Sequence, residues 1–510
     1  LFHQNIDSIA IGFSRILGDK TAEEYKKIFT QIFKENKKIR RVTGAKVSYT
    51  QKKELSQLPL MRRGVYKSGI TFEDIHERIQ PFQPLASRTL GSIYGESGEG
   101  ITGLEKRFNK ELKGEDGLAT RQRIGGRWEN VTVVEAIDGM DVITTLDADI
   151  QDIVESSLRN RLERVDGEWG CCILMETHSG KIRAMANLSK SSEGKYIESE
   201  NNAVKRWEPG STFKTISLMA ALDDGKIDID DTIRVTKESW KYKGLTHTDA
   251  HPRDTVYTVR SALAVSSNIA LAKIITRGYE GSAHKFVRRM QKMGLLDSIY
   301  CEVPGAERVL IPIPKDTATL SKMSYGYSVE LSPLQVMMFY NAIANDGKMI
   351  RPYLVDRIEQ NGEVVKRFST ETINGSICKS STLKDLRGAL HDVVWDNHLG
   401  TASVRMWNGH IADYKAQSEL VHIAGKTGTA QINTGKGYQK RAHRITFVGY
   451  FPEEDPQYTC ICTIHYPKNF GYDAGYDCGG AVRQIAEKVI AQQGRYVITP
   501  EGEVKLKIEN

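Results

Sequence analysis

The sequence predicts an α+β fold in which helices cover the faces of an antiparallel sheet. Three observations lead there. "GCCILMETHSGKIRAMANLS" reads as two strands joined by a turn at Ser179-Gly180. "LVHIAGKTGTAQ", "ITFVGYFPEEDPQ" and "YTCICTIHYP" read as consecutive antiparallel strands late in the chain. Between these β-rich ends lie long apolar helical stretches.

The elements follow in order. "TAEEYKKIFTQIFKENKKI" carries helical spacing at Tyr25, Ile28, Phe29, Ile32 and Phe33, within a mixed α+β region from residue 1 to about 140. "DVITTLDADIQDIVESSLRNRL" predicts a strand and then a helix capped by Asp147 or Asp149. "SKSSEGKYIESENN" is a loop. The helix after Ser211 is apolar nearly all round, so it is buried, and it stops near Gly225. "VRSALAVSSNIALAKIITRG" predicts one or two buried helices ending near Gly278. "SPLQVMMFYNAIANDGKMIRP" predicts a helix stopped by Gly347 and Pro352, and "QIAEKVIAQQG" a closing helix. The expected division is an N-terminal domain over 1–140, a main domain over 141–496 and a tail over 497–510.

A chain of 510 residues, 40% apolar and 26% charged, has ample core for two or more domains. A net charge of +7 is mild at this size and gives no expectation of nucleic-acid binding. One basic stretch (Lys26, Lys27, Lys37, Lys38, Arg40, Arg41, Lys52 and Lys53) reads as a solvated helix face or as a contact with an anionic surface. No run of 18 apolar residues is present, so nothing in the sequence is expected to span a membrane, and with Leu1 as the first residue an anchor or signal before it would not be visible. Seven cysteines at irregular spacing make no disulfide framework. Cys171, Cys172, Cys460 and Cys462 are expected to be small buried hydrophobes.

The chemistry centres on "EPGSTFK". Ser211 and Lys214 are three apart, which puts both on one helix face. A serine hydroxyl needs a neighbouring base, and a lysine serves only if burial or a second cation lowers its pKa. Glu208-Pro209-Gly210 breaks the chain just before Ser211, placing it at a helix N-terminus where free N–H groups favour an oxyanion. Downstream lie "SSN" (Ser266, Ser267, Asn268) in a buried helical region and "KTGT" (Lys426, Thr427, Gly428, Thr429) on a strand. A lysine, two hydroxyls and a glycine there suit a carboxylate lying along an open strand edge. S-x-x-K, S-x-N and K-T-G in that order form the signature of penicillin-binding proteins and serine β-lactamases.

The resemblance goes further. "GLEKRFNKELKGEDG", "ITTLDADIQDIVESSL", "SYGYSVELSPLQVMMFYNAIANDG", "LGTA", "AGKTGTAQ" and "FVGYFP" resemble class B, monofunctional penicillin-binding proteins, most closely the division-type (FtsI-like) transpeptidases. The match runs from about residue 90 to 490 and is loose before residue 80. It implies a serine β-lactamase/transpeptidase-like domain on a smaller N-terminal pedestal. It implies Ser211 as the acylated nucleophile and Lys214 as its base. It implies that Ser266 relays a proton and that Asn268 holds Lys214 and the substrate amide. Lys426, Thr427 and Thr429 would bind the terminal carboxylate of a D-Ala-D-Ala stem peptide, with Gly428 between them, and the N–H groups of Ser211 and Thr429 would form the oxyanion hole. The implied partners are peptidoglycan stem peptides, β-lactams bound covalently at Ser211, a membrane-embedded glycan polymerase and division proteins. The implied place is the outer side of the inner membrane, behind a single-pass anchor. No cofactor and no metal are implied. "HTDAHP" offers His247, Asp249 and His251, but Pro252 disfavours the helix that metal ligation would need, and a solvated loop over the cleft is expected. The rival readings are an elongation-type enzyme, a carboxypeptidase or β-lactamase using water, and a non-catalytic penicillin-binding scaffold.

Overall fold

The computed structural model describes residues 2–35, 41–72, 78–82, 84–95, 98–124, 127–252, 254–296, 301–407, 410–433, 437–469, 473–494, 496–498 and 504–506. Lys37, Lys38 and Arg40 of the basic stretch lie outside them, as does most of the 497–510 tail. The chain forms two compact units, Leu1–Ile79 and Gln80–Asn510. The boundary expected at residue 140 falls inside the second unit.

The first unit is helical among the described residues: α1 (Phe2–Leu17), α2 (Ala22–Glu35) and α3 (Tyr49–Ser56). The spacing read from the sequence buries Tyr25 and Phe29 of α2 against Ile6, Ile9, Ala10 and Phe13 of α1, with Leu55 of α3 closing the cluster. Of the basic stretch, Lys26 pairs with Asp7 on the surface at 2.6 Å.

In the second unit, α4 (Ala148–Val165) starts at Asp147, whose carboxylate accepts from the N–H groups of Asp149 and Ile150, both at 3.1 Å. A six-stranded antiparallel sheet follows, from β1 (Trp169–Glu176), β2 (Ile182–Lys190), β3 (Tyr196–Glu198), β8 (Ala424–Asn433), β9 (Tyr438–Phe451) and β10 (Tyr458–His465). Its spatial order is β8-β9-β10-β1-β2-β3. The late strands pair in sequence as expected. The last then joins the first, with Cys462 opposite Cys172.

The sheet is covered on both faces, so its strands read as continuous apolar runs rather than alternating ones. Along β1, Cys171, Ile173 and Met175 enter one core and Cys172 and Leu174 the other. The second core holds Val154, Leu158 and Leu162 of α4 and Val482, Ile485 and Val489 of α10 (Gly480–Gln492). The first holds α5 (Phe213–Asp223) and α8 (Pro333–Ala344), which starts with a capping box of Ser332 and Gln335. Between them lie β4 (Thr232–Val235), β5 (Trp240–Tyr242), β6 (Leu245–His247) and β7 (Thr255–Thr258). The stretch left open as one or two helices is two: α6 (Val259–Ala264) and α7 (Asn268–Gly278). Helix α9 (Ser380–Trp395) packs against β8. All seven cysteines are buried and free.

Leu158 is fully buried between α4 and the sheet. Leu158→Ala should cost about 2–5 kcal/mol in a denaturant melt. Asp147→Ala should cost ~0.5–2 kcal/mol, because it removes only a helix cap. The reverse order would mean that α4 is not held by its sheet face.

Candidate active site

Ser211 lies in a single 3₁₀ turn (Gly210–Thr212) that runs directly into α5. The Glu-Pro-Gly break thus places it one step before the α-helix proper. Gly210 has φ 55°, and a Cβ there would come within 3.0 Å of the Thr429 carbonyl oxygen. Across the gap, a Cβ on Gly428 would lie 2.8 Å from Thr212 Cγ2. Glycine at both positions lets edge strand β8 lie directly against the Ser211 turn. Behind that turn, the fully buried Tyr340 of α8 donates its hydroxyl to the Thr212 carbonyl at 2.8 Å.

Lys214 is fully buried, as its place in an apolar helix requires. Its ammonium donates to the Ser266 carbonyl at 2.5 Å and to the Ser266 hydroxyl at 3.1 Å. Burial pushes its pKa down to about 7, and the carboxylate of Asp249 opposes that shift. Ser266 sits in the break between α6 and α7 with φ 59°. Such a conformation costs a serine ~1–3 kcal/mol. It turns both oxygens of Ser266 toward Lys214.

The Lys214–Asn268 hydrogen bond expected from the resemblance is not formed among the described residues. Asn268 Nδ2 donates to the Thr248 carbonyl at 2.8 Å instead. Asn268 is the first residue of α7, and its backbone N–H donates to Asp249 Oδ1 at 2.6 Å. Asp249 Oδ1 also accepts from the Ile269 N–H at 3.0 Å, and Oδ2 from the Ser267 hydroxyl at 2.7 Å. One loop carboxylate therefore fixes the start of α7 and faces its dipole. In the sequence Asp249 stands between two histidines, and nothing local marks its part in this turn.

His247 corrects the expectation of a solvated loop: it is buried. Its Nδ1 meets the Tyr325 hydroxyl at 2.8 Å and its Nε2 the Ser321 hydroxyl at 3.1 Å, so both ring nitrogens are engaged by protein. His251 is exposed.

Lys426 is also fully buried on β8. Its ammonium reaches the Thr427 carbonyl at 3.1 Å and the Thr427 hydroxyl at 3.4 Å. Burial first, and the charge of Lys214 second, hold its pKa well below the usual lysine value. The Thr427 hydroxyl pairs with Thr401 of "LGTA" at 2.7 Å, and the Thr401 N–H donates to Ala264 of α6 at 3.4 Å. This small segment ties the KTG strand to the helix before Ser266. Thr429 is part-exposed beside Gly210. Glu208 accepts from the Ser328 N–H and the Tyr438 hydroxyl, both at 2.8 Å, and holds the far side of the turn. Thr401, Tyr340 and Glu208 carry no local signal of these contacts, because each partner lies far away in sequence.

The structure thus brings Ser211, Lys214, Ser266, Lys426, Thr427, Gly428 and Thr429 to one junction of α5, the α6–α7 turn and β8, with Asn268 at its rim. The residue types gathered here, two serine hydroxyls, a lysine amine of lowered pKa and a second lysine on a strand edge, are those that serine acyl transfer requires.

The penicillin-binding protein transpeptidase domain matches residues 170–491. The probable peptidoglycan D,D-transpeptidase PbpC of Pseudomonas aeruginosa is 26% identical over 412 residues, covering 78% of this chain and 68% of that protein. Penicillin-binding protein PbpB of Mycolicibacterium smegmatis is 28% identical, covering 77% of this chain and 61% of that protein. The peptidoglycan D,D-transpeptidase FtsI of Buchnera aphidicola is 25% identical, with coverages of 83% and 71%. The chain spans about two thirds of the length of these curated relatives. Among solved structures, penicillin-binding protein 2X of Streptococcus thermophilus shares the fold at TM-score 0.76 and 20% identity, covering 96% of this chain and 73% of that one. Penicillin-binding protein 3 of Mycobacterium tuberculosis does so at TM-score 0.68 and 24% identity, covering 82% and 91%. With the matched domain spanning more than half of its residues, this chain belongs to the penicillin-binding transpeptidase family, in the class B branch of serine acyltransferases.

Proposed function

We propose that this chain cross-links peptidoglycan stem peptides by acylation of Ser211, in septal wall synthesis. The observation that carries the reading is the pair of buried lysines on either side of the nucleophile's turn, one held by Ser266 and one on the open strand edge. Neutral Lys214 takes the proton from Ser211 Oγ as Oγ attacks the penultimate D-Ala carbonyl. The N–H groups of Ser211 and Thr429 receive the oxyanion. Lys214 then returns the proton through the Ser266 hydroxyl to the leaving nitrogen, the peptide C–N bond breaks and D-Ala departs. An acceptor amine on a neighbouring stem attacks the ester and gives its proton to Lys214, which passes it to Ser211 Oγ as the ester C–O bond breaks, restoring the free serine and the neutral lysine. Lys426, with Thr427 and Thr429, holds the terminal carboxylate. The charge of Lys426 beside Lys214 favours the neutral form of that base.

Covalent inhibition by β-lactams follows from the same chemistry, and a related fold has been solved in complex with aztreonam. The septal assignment rests on similarity to proteins such as FtsI. The elongation-type reading stands as its alternative, and depletion that rounds cells rather than blocking their division would favour it. A glycan polymerase of the membrane and division proteins are the proposed partners, with residues 1–140 as the pedestal. An outer-face location behind an anchor is proposed with them. Among the described residues, no helix is long and apolar enough to cross a membrane.

Intact mass after adding a penicillin should show one drug per chain, persisting for many minutes and absent from Ser211→Ala. Rapid loss of the adduct with hydrolysed drug would mean a β-lactamase, and no adduct in wild type would remove the acyl-enzyme reading altogether.

The acylation rate should rise about tenfold per pH unit below pH 7 and level off above it, because the amine form of Lys214, with its pKa near 7, is the base. A profile flat from pH 5.5 to 8.5 would exclude that role.

Gly428→Ala adds a methyl against Thr212 and separates β8 from the nucleophile's turn. Acylation should slow by ~10²-fold, the scale of an ångström-sized misplacement, with the thermal midpoint nearly unchanged. Wild-type acylation in this variant would mean that the contact does not position the site.

A further inference from the structure

Away from the nucleophile, a surface cavity of about 360 Å³ opens between β4, β5 and α7. Its volume is in the range of a site for a small organic group. Arg234, Lys273 and Arg277 converge on it, with Glu280 as the one carboxylate in the lining and Trp240 and Tyr242 as an aromatic wall. None of these residues takes part in the acyl transfer described above.

The cations are held together rather than scattered. Lys273 donates to the Arg234 carbonyl at 2.9 Å, and its ammonium lies 5.6 Å from the Trp240 ring. Trp240 in turn stacks on Tyr242 with centroids 4.9 Å apart. Burial, and then the charges of Arg277 and Arg234, push the Lys273 pKa down. Arg234 meets Asp254 at only 3.4 Å, with both side chains largely exposed, so that pair is weak. Three like charges gathered at one concavity repel one another, and an anion entering it relieves the repulsion.

The position relative to the reaction matters. Lys273 follows Asn268 by five residues on α7 and Arg277 by nine. At 1.5 Å per residue these lie ~7.5 Å and ~13.5 Å along the helix axis from the rim of the acyl-transfer site. An extended anionic polymer engaged at that site has further carboxylates within this reach. Planar guanidinium forks pair with carboxylates, and the partly exposed aromatic wall offers apolar surface to a sugar ring or an alanyl methyl.

We propose that this cavity is a second binding site for the carboxylates of peptidoglycan, holding a stem-peptide segment of a strand next to the one being acylated. The proposal rests on the reading that peptidoglycan is the substrate.

The test uses wild-type protein first acylated with a penicillin, so that the cleft is blocked. The probe is a soluble disaccharide-tetrapeptide muropeptide, titrated calorimetrically and by tryptophan fluorescence. The expected result is saturable binding that weakens with salt. It should fall at least tenfold in the exposed double variant Arg234→Ala/Arg277→Ala and in Lys273→Gln. It should be absent for a probe with its carboxylates converted to carboxamides. The variants should keep the wild-type rate of penicillin acylation within twofold, which shows that they are folded. Equal binding of the amidated probe, or unchanged affinity in the variants, overturns the proposal. Binding of inorganic phosphate in place of the muropeptide overturns it in favour of a phosphate-bearing headgroup. An acylated protein that binds no muropeptide sinks this inference alone. A wild type that takes up no penicillin sinks the enzymatic reading instead.

Discussion

The catalytic unit is organised around two ammonium groups removed from water within a small volume. Lys214 and Lys426 are both fully buried, and the charge of one is felt by the other. A buried charge without a partner costs several kcal/mol, so a lysine survives there only as a neutral amine or with oxygen acceptors around it. Much of the local architecture supplies those acceptors. The left-handed turn at Ser266 presents two oxygens to one amine, and β8 bends a carbonyl and a hydroxyl of Thr427 toward the other. The surrounding shell is apolar: α5 and α8 fill the same core as β1. Apolar burial of this extent holds the two amines in place and at the same time keeps them from being ordinary lysines.

How much of this was legible in the sequence depends on the range of each interaction. Ser211 and Lys214 were legible because a helix turns three residues into one face, and Lys426 to Thr429 because a strand keeps its own order. The strands showed as apolar runs and the helices as buried ones. Pairing between β10 and β1 did not show, because nothing in either run names a partner some 290 residues away. The same holds for Asp249. A carboxylate 18 residues before Ser267 looks like a loop residue until the β5–β6 hairpin is folded back against the start of α7. The burial of His247 is hidden for a related reason: its partners, Ser321 and Tyr325, come from a helix and turn more than 70 residues later. For Asn268 the resemblance implies a bond to Lys214, and in this structure its amide faces Thr248.

Helix α7 joins two kinds of chemistry. Its first turn is pinned by Asp249 near Lys214, and its later turns carry Lys273 and Arg277 on the cationic cavity. A rigid rod of this length sets the spacing between the two places to within a residue's rise. The hairpin of β5 and β6 reinforces this coupling, since Trp240 lines the cavity and the segment following His247 delivers Asp249 to the turn.

The missing Cβ atoms at Gly210 and Gly428 have a consequence for how such a chain can evolve. A side chain at Gly210 would press on Thr429 and Ala430, and one at Gly428 on Thr212, so the strand and the Ser211 turn could not keep their present approach. Both positions are closed to substitution while that approach is kept. Variation is left to side chains that line the junction without setting its backbone spacing.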